Sequence, residues 1–173
     1  MTKLHPDWLA FFESLISARV DFMLVGGLAV GIHAEPRATD DLDVFVRPTL
    51  ANARRLRRAL VEFGFGAATP SAARLAVPNR VFMIGRKPLR IDVLNAIDGV
   101  SFAEAWRNRV EVTIDDVRVT VIGRDDLITN KTAAGREKDL FDLALLARVP
   151  PLKLDRPRPT RGIPRAARRR PPG

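Results

Sequence analysis

Apolar residues recur along the chain at two spacings, and these predict an alternation of helices and strands. Repeats of three and four residues predict amphipathic helices over 7–19 and 50–63. Short apolar runs and two-residue alternation predict strands. The predicted strands cover residues 21–25, 41–46, 81–84, 89–94, 110–114 and 117–122.

The connections between these segments predict the class of fold. Gaps at 85–88 and 115–116 each separate two strands and are short enough for hairpins. Ser101 and Glu104 have the spacing of a capping box, which starts a helix, and 125–146 is predicted to be helical. Strands interleaved with helices and hairpins predict the α/β (α+β) class, with a mixed β-sheet flanked by helices.

The formal charge of +9 lies mostly in a C-terminal tail. Residues 150–173 hold eight Lys or Arg and one Asp, which gives +7 and leaves +2 for residues 1–149. The tail is rich in Pro and Arg, so we predict one folded domain over 1–149 and a disordered basic tail over 150–173. Two readings of the tail stay open: a solvated extension, or a nonspecific anchor for RNA, DNA or an acidic partner.

Composition also bears on the cellular location. The chain has no cysteine, which excludes disulfides and thiolate metal sites. Its apolar runs are shorter than the roughly 18 residues of a membrane span, and its N-terminus lacks the apolar stretch of a signal peptide. We therefore expect a cytoplasmic protein without a membrane partner.

Acidic residues on two predicted strands are the candidate chemistry. Asp41 and Asp43 stand two residues apart on a strand, so both carboxylates point to the same face. Their mutual repulsion requires a cation, and Mg²⁺ prefers such oxygen ligands. A third acid is needed to complete a two-metal site, and Asp92 is the candidate because it is isolated in an apolar run.

A glycine pair provides the second candidate feature. Gly26 and Gly27 directly follow the first strand and precede a predicted short helix over 28–33. Glycine lets the backbone approach a phosphate closely, and a helix N-terminus presents free N–H groups to it. The arrangement predicts a triphosphate cradle that faces the carboxylates.

These motifs resemble the nucleotidyltransferases of the DNA-polymerase-β superfamily. The resemblance rests on Gly26-Gly27 after a strand, on Arg37-x-Thr39-x-Asp41-x-Asp43, and on a distant Asp92. It is strongest to the compact bacterial branch that includes AbiEii-type toxin–antitoxin nucleotidyltransferases. The Gly-Gly-x-Ala opening is also similar to that of aminoglycoside nucleotidyltransferases.

The resemblance implies an activity, its cofactors and further site residues. Two Mg²⁺ ions held by Asp41, Asp43 and Asp92 would support transfer of a nucleoside monophosphate from an NTP to an acceptor, with release of pyrophosphate. Asp92 is also the candidate general base. Residues expected to contact the nucleotide or shape its site are Gly26, Gly27, Arg37, Thr39, Lys131, Arg136 and Lys138. Asp139 and Asp142 are expected to orient these cations or cap a helix, and His33 to be an ordinary histidine rather than a catalytic one.

The acceptor and the biological role stay open at the level of sequence. A toxin-like member would modify tRNA or a protein and would have a cognate toxin or antitoxin protein as partner. A small-molecule acceptor of the aminoglycoside kind is the alternative, although such enzymes usually carry a larger helical acceptor domain. A non-catalytic nucleotide-binding regulator is the third possibility.

Overall fold

A six-stranded mixed sheet forms the centre of the part of the chain, residues 4–151, that this computed structural model describes. The strands are β1 (Phe22–Val25), β2 (Asp41–Val46), β3 (Val81–Ile84), β4 (Arg90–Leu94), β5 (Val110–Ile114) and β6 (Val117–Val121). Their order in the sheet is β3-β4-β2-β1-β6-β5. The predicted α/β class and mixed sheet are confirmed.

Parallel and antiparallel pairs meet in the middle of this sheet. The neighbours β1 and β2 are antiparallel, while β2 pairs with β4 and β1 pairs with β6 in parallel. The outer pairs β3–β4 and β5–β6 are the two predicted hairpins. The predicted carboxylates lie on β2 and β4, and the predicted glycine pair directly follows β1.

Seven helices accompany the strands within residues 4–151. They are α1 (Pro6–Ser17), α2 (Gly26–His33), α3 (Leu50–Leu60), α4 (Ala72–Leu75), α5 (Phe102–Asn108), α6 (Arg124–Ala134) and α7 (Glu137–Arg148). Helix α5 begins with the predicted capping box, in which Ser101 and Glu104 each accept a hydrogen bond from the other's backbone N–H. None of the described helices is long and apolar enough to cross a bilayer.

The helix predicted over 50–63 is shorter than the sequence pattern suggested, and Gly135 divides the predicted helical segment over 125–146 into two helices. The helix predicted over 50–63 ends as an α-helix at Leu60 and continues as a π-helical turn that contains Gly64 at φ +119°. The helical segment over 125–146 breaks at Gly135, which has φ +60° and separates α6 from α7. Both conformations favour glycine, which has no Cβ to clash.

Apolar side chains from α1 and the central strands form the core. Helix α1 buries Trp8, Phe11, Phe12 and Leu15, and the Phe12 ring stacks on that of Phe22 at a centroid distance of 5.9 Å. On β2, one face is fully apolar and buried, and this face determines which residues point the other way. The core thereby fixes the direction of Asp41 and Asp43.

Histidine 33 connects the end of α2 to the sheet. Its side chain is buried, and its Nε2 lies 2.7 Å from the backbone oxygen of Ile122, just after β6. Burial lowers the pKa of His33, and the hydrogen bond to Ile122 only partly opposes this. Of the two ordinary positions that the sequence left open for His33, packed or facing solvent, the structure shows the packed one.

We predict that His33 makes the folded state less stable at acidic pH. As the pH falls below about 6.5, this histidine takes up a proton in the unfolded chain, whereas its lowered pKa keeps it neutral to a lower pH in the folded chain. The unfolded state then binds more protons, so the free energy of unfolding should fall with pH by at most about 1.4 kcal/mol per pH unit. Urea unfolding at several pH values should show a flatter profile for His33→Gln than for the wild type.

Candidate active site

Four charged side chains meet on one face of β2 and β4. The parallel register places Asp41 opposite Arg90 and Asp43 opposite Asp92. Residues two apart on a strand share a face, so all four side chains lie on the same side of the sheet. The structure therefore brings the three predicted carboxylates to neighbouring positions and adds Arg90, which the sequence analysis did not identify as a site residue.

Gly26 and Gly27 lie in the first turn of α2, which begins two residues earlier than the sequence suggested. A Cβ placed on Gly26 would lie 1.9 Å from Oδ2 of Asp43, and Gly26 has φ +65°. The Asp43 carboxylate thus packs directly against the glycine backbone at the helix N-terminus. Burial raises the pKa of Asp43, and the neighbouring carboxylates of Asp92 and Asp41 add to this effect.

The predicted pair Arg37 and Thr39 lies beside the second glycine. A Cβ on Gly27 would be 2.8 Å from Nη2 of Arg37 and 3.0 Å from Oγ1 of Thr39. Arg37 forms a two-point ion pair with Asp142 of α7, with Nε at 2.7 Å from Oδ1 and Nη2 at 3.0 Å from Oδ2. Thr39 donates a hydrogen bond to the backbone oxygen of Asp41. Both residues shape the loop that leads into β2.

The cations predicted on the C-terminal helices fall into two groups. Lys131 is 3% exposed, and its Nζ lies 2.8 Å from both Asp139 Oδ1 and Asp142 Oδ2. Arg136 and Lys138 are exposed, although Nε of Arg136 also contacts Asp139. Burial would raise the pKa of Asp139, but hydrogen bonds from Lys131 and Arg136 outweigh it and lower that pKa. Lys131 is therefore a buried structural cation, while Arg136 and Lys138 remain available to a ligand.

A cleft of about 720 Å³ runs along these groups. Every predicted site residue except Asp92 lines it, and so do residues that the sequence analysis did not select. The added polar lining residues are Asp40, Asn79, Lys87, Asp98 and Asn130. Lys87 is the informative one because its exposed Nζ lies within 3.9 Å of Asp41 Oδ2. It adds a third exposed cation to Arg136 and Lys138.

Arg90 connects two of the three carboxylates. Its Nη2 lies 2.9 Å from Oδ2 of Asp41 and 2.9 Å from Oδ2 of Asp92. The other oxygen of each carboxylate, Oδ1, is buried without a hydrogen-bond partner. The signal in the sequence was the position of Arg90 two residues before Asp92, which places both on one face.

Comparison with known proteins agrees with this geometry. Residues 12–149 match a family described as nucleotidyltransferase of unknown function, DUF6036. The chain belongs to this nucleotidyltransferase family. The match agrees with the resemblance to the wider superfamily that the glycine pair and the aspartates indicated. Among curated protein sequences there is no significant match.

Two solved structures show the same fold as this DUF6036 nucleotidyltransferase. One is the lincosamide antibiotic adenylyltransferase LnuA, bound to lincomycin, with a TM-score of 0.53 and 11% identity over 87% of this chain and 100% of that chain. The other is an antigenic nucleotidyltransferase-like protein from Paracoccidioides brasiliensis, with a TM-score of 0.50 and 14% identity over 84% of this chain and 77% of that chain. At these identities the likeness concerns the fold alone.

The site of this nucleotidyltransferase fits a hard divalent cation at Asp41 and Asp43. Both line the cleft, and Asp41 Oδ1 has no hydrogen-bond partner. Carboxylate oxygens are the ligands that Mg²⁺ prefers. As the side chains stand, however, no three His, Cys, Asp or Glu residues among residues 4–151 converge on one metal position. Asp92 is held by Arg90 instead.

Substitution of Gly26 should damage the site while leaving the fold intact. Gly26→Ala would push a Cβ into the Asp43 carboxylate and would cost about 1–2 kcal/mol for the left-handed backbone. We expect Mn²⁺ binding, measured by calorimetry, to weaken in this variant. The control is Gly31→Ala on the same helix, where a Cβ would lie 3.5 Å from Pro36 Cα, an ordinary van der Waals contact. Equal binding by both variants would contradict the role of Gly26.

The two groups of cations should respond differently to removal. Lys131→Met would leave Asp139 and Asp142 buried with less positive charge, so the free energy of unfolding should fall by about 3–5 kcal/mol. Lys138→Met removes an exposed lysine of the same cleft and should change stability by less than about 0.5 kcal/mol. Chemical denaturation of both variants is the measurement. A stable Lys131→Met protein would refute the structural role.

Proposed function

We propose that this protein is a Mg²⁺-dependent nucleotidyltransferase that moves a nucleoside monophosphate from an NTP to a hydroxyl group of an acceptor. The observation that carries the proposal is the in-register pairing of Asp41 and Asp43 with the strand that bears Asp92, next to the glycine turn. Magnesium bound by Asp41 and Asp43 would offset the charge of the triphosphate and of the departing pyrophosphate.

Different groups of the protein bind the phosphates and accept the proton in this proposal. The first turn of α2 offers backbone N–H groups to the phosphates. The exposed cations Lys87, Arg136 and Lys138 contact phosphate oxygens from the cleft walls. Asp92, paired in register with Asp43, is the proposed acceptor of the proton of the acceptor hydroxyl. The sequence led us to expect two magnesium ions. Arg90 already contacts Asp92, one of the three carboxylates expected to hold them, and therefore bears on how many ions the site binds.

An acceptor with phosphate groups, such as RNA, has specific support. From residue 63 to residue 91 the chain contains no Asp or Glu but five Lys or Arg. This stretch includes β3, at the edge of the sheet next to the strand of Asp92, with Arg80, Arg86 and Lys87 exposed around it. Such a surface attracts the backbone of a nucleic acid. Modification of tRNA in a toxin–antitoxin pair is the matching role, while a protein acceptor and the cytoplasmic location stay predictions.

A small-molecule acceptor is the second candidate. The sequence analysis disfavoured it because little chain follows residue 146 to form an acceptor domain. The match to LnuA spans all of that chain and 87% of this one, and its structure is lincomycin-bound. A compact chain of this fold therefore needs no additional domain to bind a small acceptor. The size argument no longer separates the two candidates.

The test is transfer of label from [α-³²P]NTPs in the presence of Mg²⁺ to total tRNA, to cell protein, or to lincosamides and aminoglycosides. Asp41→Asn and Asp43→Asn should each lower the labelling at least about 100-fold, because each removes a charged ligand. Asp40→Asn is the matched control, since Asp40 is 59% exposed and its one ion pair among residues 4–151 is with Lys87, at 3.7 Å.

The outcomes separate the candidates. Labelled tRNA supports the RNA acceptor. Label in the protein fraction would instead indicate a protein acceptor, and label in the antibiotic fraction a small-molecule acceptor. Equal labelling by Asp41→Asn and the wild type would overturn the catalytic site. NTP binding without any labelling across all acceptors would favour the non-catalytic regulator, which a complete set of three carboxylates disfavours.

A further inference from the structure

Arg90 occupies the position between two carboxylates where the sequence alone would place a metal ion. Its Nη2 lies 2.9 Å from an oxygen of Asp41 and 2.9 Å from an oxygen of Asp92. The three side chains are largely buried, with 28%, 15% and 11% exposed for Arg90, Asp41 and Asp92. This ion pair is therefore a built feature of the site and not a contact between mobile surface groups.

The register of the sheet fixes this arrangement. Arg90 lies opposite Asp41, and Asp92 lies opposite Asp43. The backbone pairing of β2 with β4 therefore fixes the positions of all four residues relative to one another. A guanidinium group is always charged and presents several donors in a rigid plane, which suits it to join two carboxylates. Asp43 is the carboxylate of this group that Arg90 does not contact, and it lines the cleft beside Gly26.

We propose that the Arg90 guanidinium serves in place of a second divalent ion, so that the site binds one ion tightly, at Asp41 and Asp43. Arg90 is then a positioning residue that holds Asp92 next to the acceptor without a metal of its own. The inference rests on the metal site of the proposed function but not on transfer itself. It replaces the two-ion expectation drawn from the family resemblance.

Two observations support one tight ion over two. Asp41 and Asp43 line the cleft, whereas Asp92 and Arg90 do not. In addition, no three acidic, His or Cys side chains within residues 4–151 are placed to share a metal, and the Arg90 guanidinium contacts both Asp92 and Asp41. A second ion at Asp92 would have to displace a group of the same charge sign from both partners.

The number and affinity of bound Mn²⁺ ions test the proposal without any turnover. Titration calorimetry and electron paramagnetic resonance would be run on the full chain, alone and with α,β-methylene-ATP. We expect one tightly bound Mn²⁺ per chain for the wild type. Arg90→Met should add a second ion or tighten a weak one by about tenfold, because a competing positive charge is lost. Arg90→Lys keeps the charge and should bind one ion.

Arg86→Met is the matched control. It removes one exposed positive charge just before β4, and it should leave the number of ions at one. Two tight ions in the wild type, or the same Mn²⁺ binding by Arg90→Met and the wild type, would overturn the proposal.

A second pair of variants decides the matter even if Arg90→Met does not fold. Asp92→Asn should change the affinity of the tight ion less than about threefold, whereas Asp43→Asn should abolish it. If Asp92→Asn weakens Mn²⁺ as much as Asp43→Asn, Asp92 is a ligand of the tight ion and the proposal is wrong. Tight binding of one Mn²⁺ without any nucleotidyl transfer would refute the proposed function and leave this inference standing.

Discussion

The parallel pairing of β2 with β4 is the constraint on which the whole site depends. It sets Asp41 beside Arg90 and Asp43 beside Asp92, and neither pair would survive a change of register. Because side chains alternate along a strand, a slip of one residue would turn Arg90 and Asp92 to the opposite face. The buried apolar residues Leu42, Val44, Ile91 and Val93 prevent such a slip, since they would have to enter the cleft. The apolar core thus determines the arrangement of the charges.

Much of this arrangement was predictable from local sequence patterns. Alternation along 41–46 determined the common face of Asp41 and Asp43, and the glycine pair after a buried strand predicted the turn against which Asp43 packs. The fold class followed from the order of helices and strands. These features are encoded by neighbours in sequence, which is why periodicity reveals them.

Pairings between distant residues could not be read in the same way. Lys131 was expected to face the nucleotide, but it is buried between Asp139 and Asp142, and whether a lysine finds such partners depends on how α6 and α7 dock after Gly135. Arg90 is another case, because its role requires the strand order that places β4 next to β2. Spacing places Arg90 and Asp92 on one face, but the contacts of Arg90 with Asp41 and of Lys131 with Asp139 and Asp142 depend on the tertiary structure.

The ion pair between Arg37 and Asp142 has a consequence for biosynthesis. The two residues are 105 positions apart, so the loop that leads into β2 leaves the ribosome long before the helix that anchors it. Since a domain generally folds as a unit, the cleft cannot be completed before α7 has been synthesised. A nascent or prematurely ended chain that lacks α7 has the carboxylates and the glycine turn but not the anchor of this loop. Complete synthesis of the domain is thereby a condition for a finished site.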